Sequence, residues 1–155
     1  MRKDSFKNII IVTLFFIFYI YFINLIDMFT KINEIKDDNY YIIENDQIPS
    51  IYNIVGKRKL YKYKSFTKDE IDTKEYSYKN IDNLKSDLSK YTQELRDNYN
   101  FVYTSDIDFT KDKGEISLST NSMDNGEIII MKIIYKNNKF EINISKGKGT
   151  IKVYE

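Results

Sequence analysis

The sequence predicts an α+β protein: an N-terminal transmembrane helix, then a small domain with one long helix packed on an antiparallel meander sheet. Three observations predict it. Ile9 to Ile26 reads IIIVTLFFIFYIYFINLI, with no charge and only Thr13 and Asn24 clearly polar, and about 20 apolar residues in helix span the hydrocarbon core of a bilayer. Ile81, Leu84, Leu88, Tyr91 and Leu95 are spaced 3, 4, 3, 4, which places them on one face of a helix. From residue 106 onward, apolar and polar residues alternate between turn signals, the pattern of half-buried strands.

The apolar run sets the domain organisation: residues 1–8 a short cytoplasmic tail, 9–26 a transmembrane anchor, 27–47 a tether and 48–155 an extracytoplasmic domain. A cleaved secretory signal shares the basic start, here Arg2, Lys3 and Lys7, but needs small residues before the cut. Alanine is absent from the chain and the first glycine is Gly56, so an uncleaved anchor is the expectation. A buried helix of a soluble protein is the third reading, and a helix apolar on every face has little use at the end of a small soluble domain. Lys and Arg near a span stay on the cytoplasmic side. Arg2, Lys3 and Lys7 precede the run against Asp4 alone, while Lys31 and Lys36 follow it among Asp27, Glu34, Asp37 and Asp38. The expected orientation is N-terminus in, bulk of the chain out. Tyr19 and Tyr21 lie toward the outer end, where rings with a polar tip favour the interface. The span has no Gly-x-x-x-Gly, so close helix pairing is not encoded, and no ionisable side chain for a proton relay.

In the tether, Tyr40 to Ile43 can dock on the domain or form a first strand. Pro49, the only proline, marks domain entry, since the residue before proline avoids helix. Residues 51–66 read as extended, with Lys59, Tyr61 and Tyr63 on one side and Leu60, Lys62, Lys64 and Phe66 on the other, a lysine-rich edge strand. Residues 67–79 read as polar and irregular. Asn80 is the expected N-cap of the helix, with Asp82 in its first turn, and Asp97 to Asn100 closes it. Ile107 and Phe109 alternate with Asp106, Asp108 and Thr110. Gly114 opens EISLST, Asp124-Asn125-Gly126 signals a hairpin, and Glu127 to Lys136 reads as the most buried strand, with Ile129, Met131, Ile133 and Tyr135 on one face. Asn137-Asn138 turns into Phe140, Ile142 and Ile144, and Gly147 to Gly149 reads as a final turn before Ile151 and Val153.

Composition narrows the chemistry. With neither Cys nor His, the usual zinc, copper, haem and iron–sulfur ligand sets are missing, as are Ser-His-Asp and Cys-His nucleophile arrangements. No cofactor is expected. The 24 basic and 23 acidic residues leave a net charge of +1, without the basic excess that marks nucleic-acid binding. Richness in Ile, Lys, Asn, Tyr and Phe fits the codon bias of a low-GC bacterial genome.

The densest basic stretch is Lys57, Arg58, Lys59, Lys62 and Lys64, interleaved with Tyr61 and Tyr63. It is the candidate contact for lipid headgroups, a phosphate-bearing wall polymer or an acidic partner; protection of an edge strand explains it equally in kind. Asp106, Asp108, Asp112 and Glu115 cluster, but Thr110 and Lys111 stand where a calcium loop of the EF-hand type needs Asx and Gly. Lys146 to Thr150 is superficially like a phosphate loop but has the wrong spacing and no following helix, so a turn is expected. Asn143-Ile144-Ser145 fits the glycosylation pattern inside a strand of a bacterial-looking chain, and is set aside.

The sequence reading is therefore a membrane-anchored extracytoplasmic protein, a non-enzymatic binding module with an envelope protein partner. The alternatives are a structural subunit of a secretion or conjugation complex, or a peripheral enzyme that works with carboxylates alone on wall or lipid substrates. The last predicts a cleft holding at least two carboxylates of raised pKa.

Overall fold

The structure, a computed structural model, describes residues 2–36, 38–69 and 71–154, and in the first helix the side chains of residues 10–28. Helix α1 runs from Arg2 to Lys36. Its apolar part, Ile10–Met28, has a mean hydropathy of 2.2 and none of it is buried. At about 1.5 Å per residue those residues extend roughly 28 Å, so the helix is long and apolar enough to cross a membrane. The side chains of the flanking charges Arg2, Lys3, Lys7, Lys31, Glu34 and Lys36, and all of Asp37, lie outside the described residues.

The expected tether divides in two. Its first part continues α1, and its second belongs to the domain: β1 (Tyr40–Ile43) and β2 (Asp46–Pro49) form an antiparallel hairpin. Tyr41, Ile43 and Ile48 alternate inward and are 1–2% exposed. Glu44 and Asn45 form the turn that joins the two strands, Glu44 taking a positive φ of 50°.

Residues 51–55 are not extended but a short helix, α2 (Ile51–Val55), capped by Ser50, whose Oγ accepts from the Asn53 N–H at 3.3 Å. Five residues cannot display a helical period, and β-branched content suggested strand instead. Strand β3 (Lys59–Lys68) follows and pairs with β4 (Ile71–Lys79). Two expectations change here. The stretch read as irregular is a full strand that places Tyr76 and Tyr78 in the core. A bulge between Leu60 and Lys62 reverses the alternation of β3, so Leu60 and Tyr63 share the inner face while Lys62 and Lys64 point out.

Helix α3 spans Leu84–Tyr99, one turn later than expected. Asn80 takes a left-handed φ of 58°, and Asn83 stands at the N-cap without a side-chain cap bond. Asp87, not Asp82, is the acidic residue of the first turn, and Asn100 closes the helix in the left-handed region. All five stripe residues from Ile81 to Leu95 are buried. Residues 104–112, expected to alternate as a strand, are a loop after the two-residue β5 (Val102–Tyr103); Ile107 and Phe109 pack against the core from it.

The remaining strands follow their alternation. β6 (Lys113–Asn121), β7 (Glu127–Lys136) and β8 (Lys139–Lys148) form antiparallel hairpins, the second through Asn137-Asn138. Lys146 to Lys148 finish β8 rather than turning. The main sheet has the order β3-β4-β8-β7-β6-β5, so the β3–β4 hairpin closes against β8 across α3 in sequence. At Gly114 the chain must do without a side chain: a Cβ there would lie 2.7 Å from Cζ of Tyr135, which pairs with it across the strands.

One face of the sheet carries the core. Ile116, Leu118, Ile129, Met131, Ile133, Tyr135, Phe140, Ile142 and Ile144 pack under α3, α2 and the β1–β2 hairpin in one cluster. Three of its phenols are hydrogen-bonded within it: Tyr41 and Tyr78 share a 2.8 Å hydrogen bond, and Tyr91 donates to the Pro49 carbonyl at 2.9 Å. Burial pushes Tyr41, Tyr76, Tyr78 and Tyr91 above the usual phenol range, so all four stay un-ionised near neutral pH. The other face is open.

Candidate functional site

The basic stretch of the sequence is dispersed by the fold. Arg58 turns toward α3 and grips Asp87 with two nitrogens, at 2.6 and 2.7 Å. This fork fixes the start of β3 to the first turn of the helix, so Arg58 serves packing. Lys57 lies exposed just before β3. Lys64 reaches Glu75 at 3.4 Å on the open face. Lys59 and Lys62 also face outward, with no ion pair among the described residues.

What gathers around Lys59 comes from far along the chain. The strand registers pair Lys59 with Lys79, Lys79 with Lys139, Lys139 with Lys136, and Lys136 with Lys113. Paired residues in adjacent strands project from the same face. The five lysines therefore form one row across β3, β4, β8, β7 and β6 at one end of the open face. With strands about 4.8 Å apart, the row is roughly 19 Å long. Lys79 stacks over the Tyr61 ring at 4.9 Å. Lys59, Lys113, Lys136 and Lys139 are exposed and make no ion pair among the described residues. The nearest carboxylates on this face are engaged elsewhere: Glu115 with Lys132 at 2.8 Å, and Glu141 with Ser77 and Asn143. Like charges directly opposite one another in a sheet are destabilising, by roughly 0.2–1 kcal/mol per pair. Two shallow depressions, of about 330 and 170 Å³, adjoin the row, and Lys136 lines both.

The inner end of the sheet holds a second constellation. Lys146 is buried, with its side chain 1% exposed, and its ammonium meets Glu44 at 2.6 Å, Asp46 at 3.0 Å, Glu127 at 3.6 Å and Asp124 at hydrogen-bond contact. Asp46 also accepts from the Ser122 hydroxyl at 2.7 Å and the Met123 N–H at 2.8 Å. Burial alone would lower the Lys146 ammonium, but the hydrogen bonds it donates to Asp124, Glu44 and Asp46 leave it raised. It is therefore held protonated and has no free pair for nucleophilic or base chemistry. Glu44, Asp124 and Glu127 lie close enough to share a cation, and the cation among them is this ammonium. The cluster ties the β1–β2 turn to the β6–β7 loop.

The acidic residues singled out by sequence do not converge. Asp106 accepts from the Ile107 N–H next to it, Asp108 caps Thr110, Asp112 pairs with Lys85, and Glu115 with Lys132. The Thr110 hydroxyl, its N–H and Lys111 draw the Asp108 carboxyl down to about 2.

Sequence inspection missed the lysine row because its members are separated by 20, 34, 23 and 3 positions. Only the placement of β4 beside β8 brings them into line. No family model, no curated protein and no solved structure matches the chain.

Proposed function

We propose that this chain is a single-pass membrane protein of a bacterial envelope, with its N-terminus in the cytoplasm and its α+β domain outside, acting as a non-enzymatic binding module. The observation that carries the proposal is the first helix: a nineteen-residue span, Ile10–Met28, apolar but for Thr13, Asn24 and Asp27 at its end, of which none is buried. A core helix of a soluble protein would bury part of that surface, and water is a poor solvent for all of it. Arg2, Lys3 and Lys7 before the span supply the orientation.

A binding role is supported by where the domain leaves its side chains unspent. The open face exposes Phe66, Ile71, Ile130 and Ile134 by about two-fifths each, beside charged and amide groups, the mixture common at protein interfaces. The carboxylates Asp46, Asp108 and Asp124 are displaced downward by their hydrogen-bond and lysine partners. Those three are held ionised, the opposite of the raised acid that carboxylate catalysis asks for. The expected partner is another envelope protein. Crosslinking in intact cells, followed by purification through a C-terminal tag, should recover one stoichiometric envelope protein. Recovery of the chain alone, or of abundant bystanders only, contradicts the binding role.

A further inference from the structure

We propose that the lysine row on the open face, Lys59, Lys79, Lys139, Lys136 and Lys113, binds a linear polyanion carrying repeated phosphate groups, laid across the strands. The row lies at one end of the open face, next to Ile134 of the exposed apolar group.

Five lysines are rooted in one line on five adjacent strands, their backbone positions fixed by the ladder rather than by flexible loops. Four of them have no counter-charge among the described residues, and the fifth is oriented by the Tyr61 ring. Neighbouring lysines in such a line repel one another, so a ligand that neutralises several at once gains from relieving that repulsion. Lysines act as hydrated point charges, not as planar forks. They select for density of negative charge along a line and tolerate variation in what links the phosphates.

A linear chain fits better than a flat anionic bilayer. The next row behind the lysines holds Lys62, Ser77, Glu141, Ile134 and Glu115, and the one after it Lys64, Glu75, Asn143, Lys132 and Ser117. A plane of headgroups lowered onto this face meets Glu141, Glu115 and Glu75 as well. A chain running along the first row meets the lysines and, at the Lys113 end, one carboxylate, Asp112, which pairs with Lys85 at 3.1 Å.

The test uses the full chain in nanodiscs of zwitterionic lipid and a fluorescent long-chain inorganic polyphosphate, read by anisotropy. Binding is expected, weakening on the order of a hundredfold between 50 and 200 mM salt as counterions are released by four or five contacts. The variant Lys79→Gln, Lys136→Gln, Lys139→Gln should bind at least about tenfold more weakly, given those lost contacts. A control, Lys90→Gln, Lys148→Gln, Lys152→Gln, changes net charge equally at exposed sites off the row and should keep its affinity within about twofold if the row carries the contacts. The proposal is overturned if the wild-type chain does not bind, or if the control loses as much as the row variant. It is overturned in favour of a single-phosphate site if orthophosphate competes at equal phosphate concentration. It is overturned in favour of headgroups if discs containing phosphatidylglycerol bind the row and abolish polyphosphate binding.

Discussion

Replacing Lys146 with methionine is expected to destabilise the domain by about 3 kcal/mol, the lower end of what breaking a buried ion pair causes. The methionine fills most of the lysine's volume, so the effect isolates the charge. Without the ammonium, Asp46 stays 4% exposed beside Glu44, Asp124 and Glu127. The lower end applies because Glu44 and Asp124 are 47% and 41% exposed in their side chains and can be hydrated once released. Burial alone would raise the Asp46 carboxyl, but the Met123 N–H, the Ser122 hydroxyl and Lys146 together hold it below its usual range. A depressed carboxyl contributes stability that is present above its unfolded pKa, about 3.9, and is lost as pH falls through the folded value. The raised Lys146 works in the other sense: its contribution is present below about 10.4 and fades as pH rises through the folded value. The cluster is thus fully effective from about pH 4 to 10. Urea unfolding of the wild-type chain and of Lys146→Met should differ by about 3 kcal/mol at neutral pH, and the difference should shrink as pH falls through the depressed folded value of Asp46. Equal stability at pH 7 would show that the ammonium does not hold the β1–β2 turn to the β6–β7 loop.

Truncating Leu88 to alanine should cost about 2–5 kcal/mol, the range for a large core side chain that leaves a cavity. Leu88 is fully buried at the centre of the α3 stripe, between Leu84, Tyr91 and Leu95 and above the sheet. Tyr91, three residues on along the same buried stripe, has a rigid ring that cannot easily collapse into the gap. Met131→Leu is the useful contrast: it sits equally buried on β7, yet a volume-conserving change of an adaptable side chain should cost under about 1.5 kcal/mol. Wild-type stability in Leu88→Ala, measured in the same urea series, would mean that the helix does not pack on the sheet.

The parts of this fold that sequence reveals are those where burial and periodicity coincide. In α3 and in β6 to β8 most inward positions are apolar and most outward ones polar, so the period announces both the element and its face; Lys146 inward and Ile130 and Ile134 outward depart from it. The α1 span announces itself by length alone. Elsewhere the two signals part. The inward positions of β4 include Asp72 and Lys74 before Tyr76 and Tyr78, because that end of the sheet is covered by the polar turn of the β1–β2 hairpin, with Lys74 bonded to the Ile42 carbonyl. A strand with polar residues facing inward reads as a loop. The hairpin itself is hidden by the polar run Glu44, Asn45 and Asp46, whose two carboxylates look solvated until Lys146 is found buried against them. In β3 a single bulge at Tyr61 exchanges the faces of every later residue. The lysine row is harder still, because no local pattern encodes it. It exists only through strand order and register.

The central claim is that α1 anchors the domain in a membrane with the domain outside. Cell fractionation with an alkaline wash, followed by protease treatment of intact cells carrying a C-terminal tag, tests it most directly. The expected result is a chain that stays with the membrane through the wash and loses its tag to external protease, while the N-terminus remains protected. A chain released by the wash, or a tag fully protected in intact cells, would contradict the anchor or its orientation respectively.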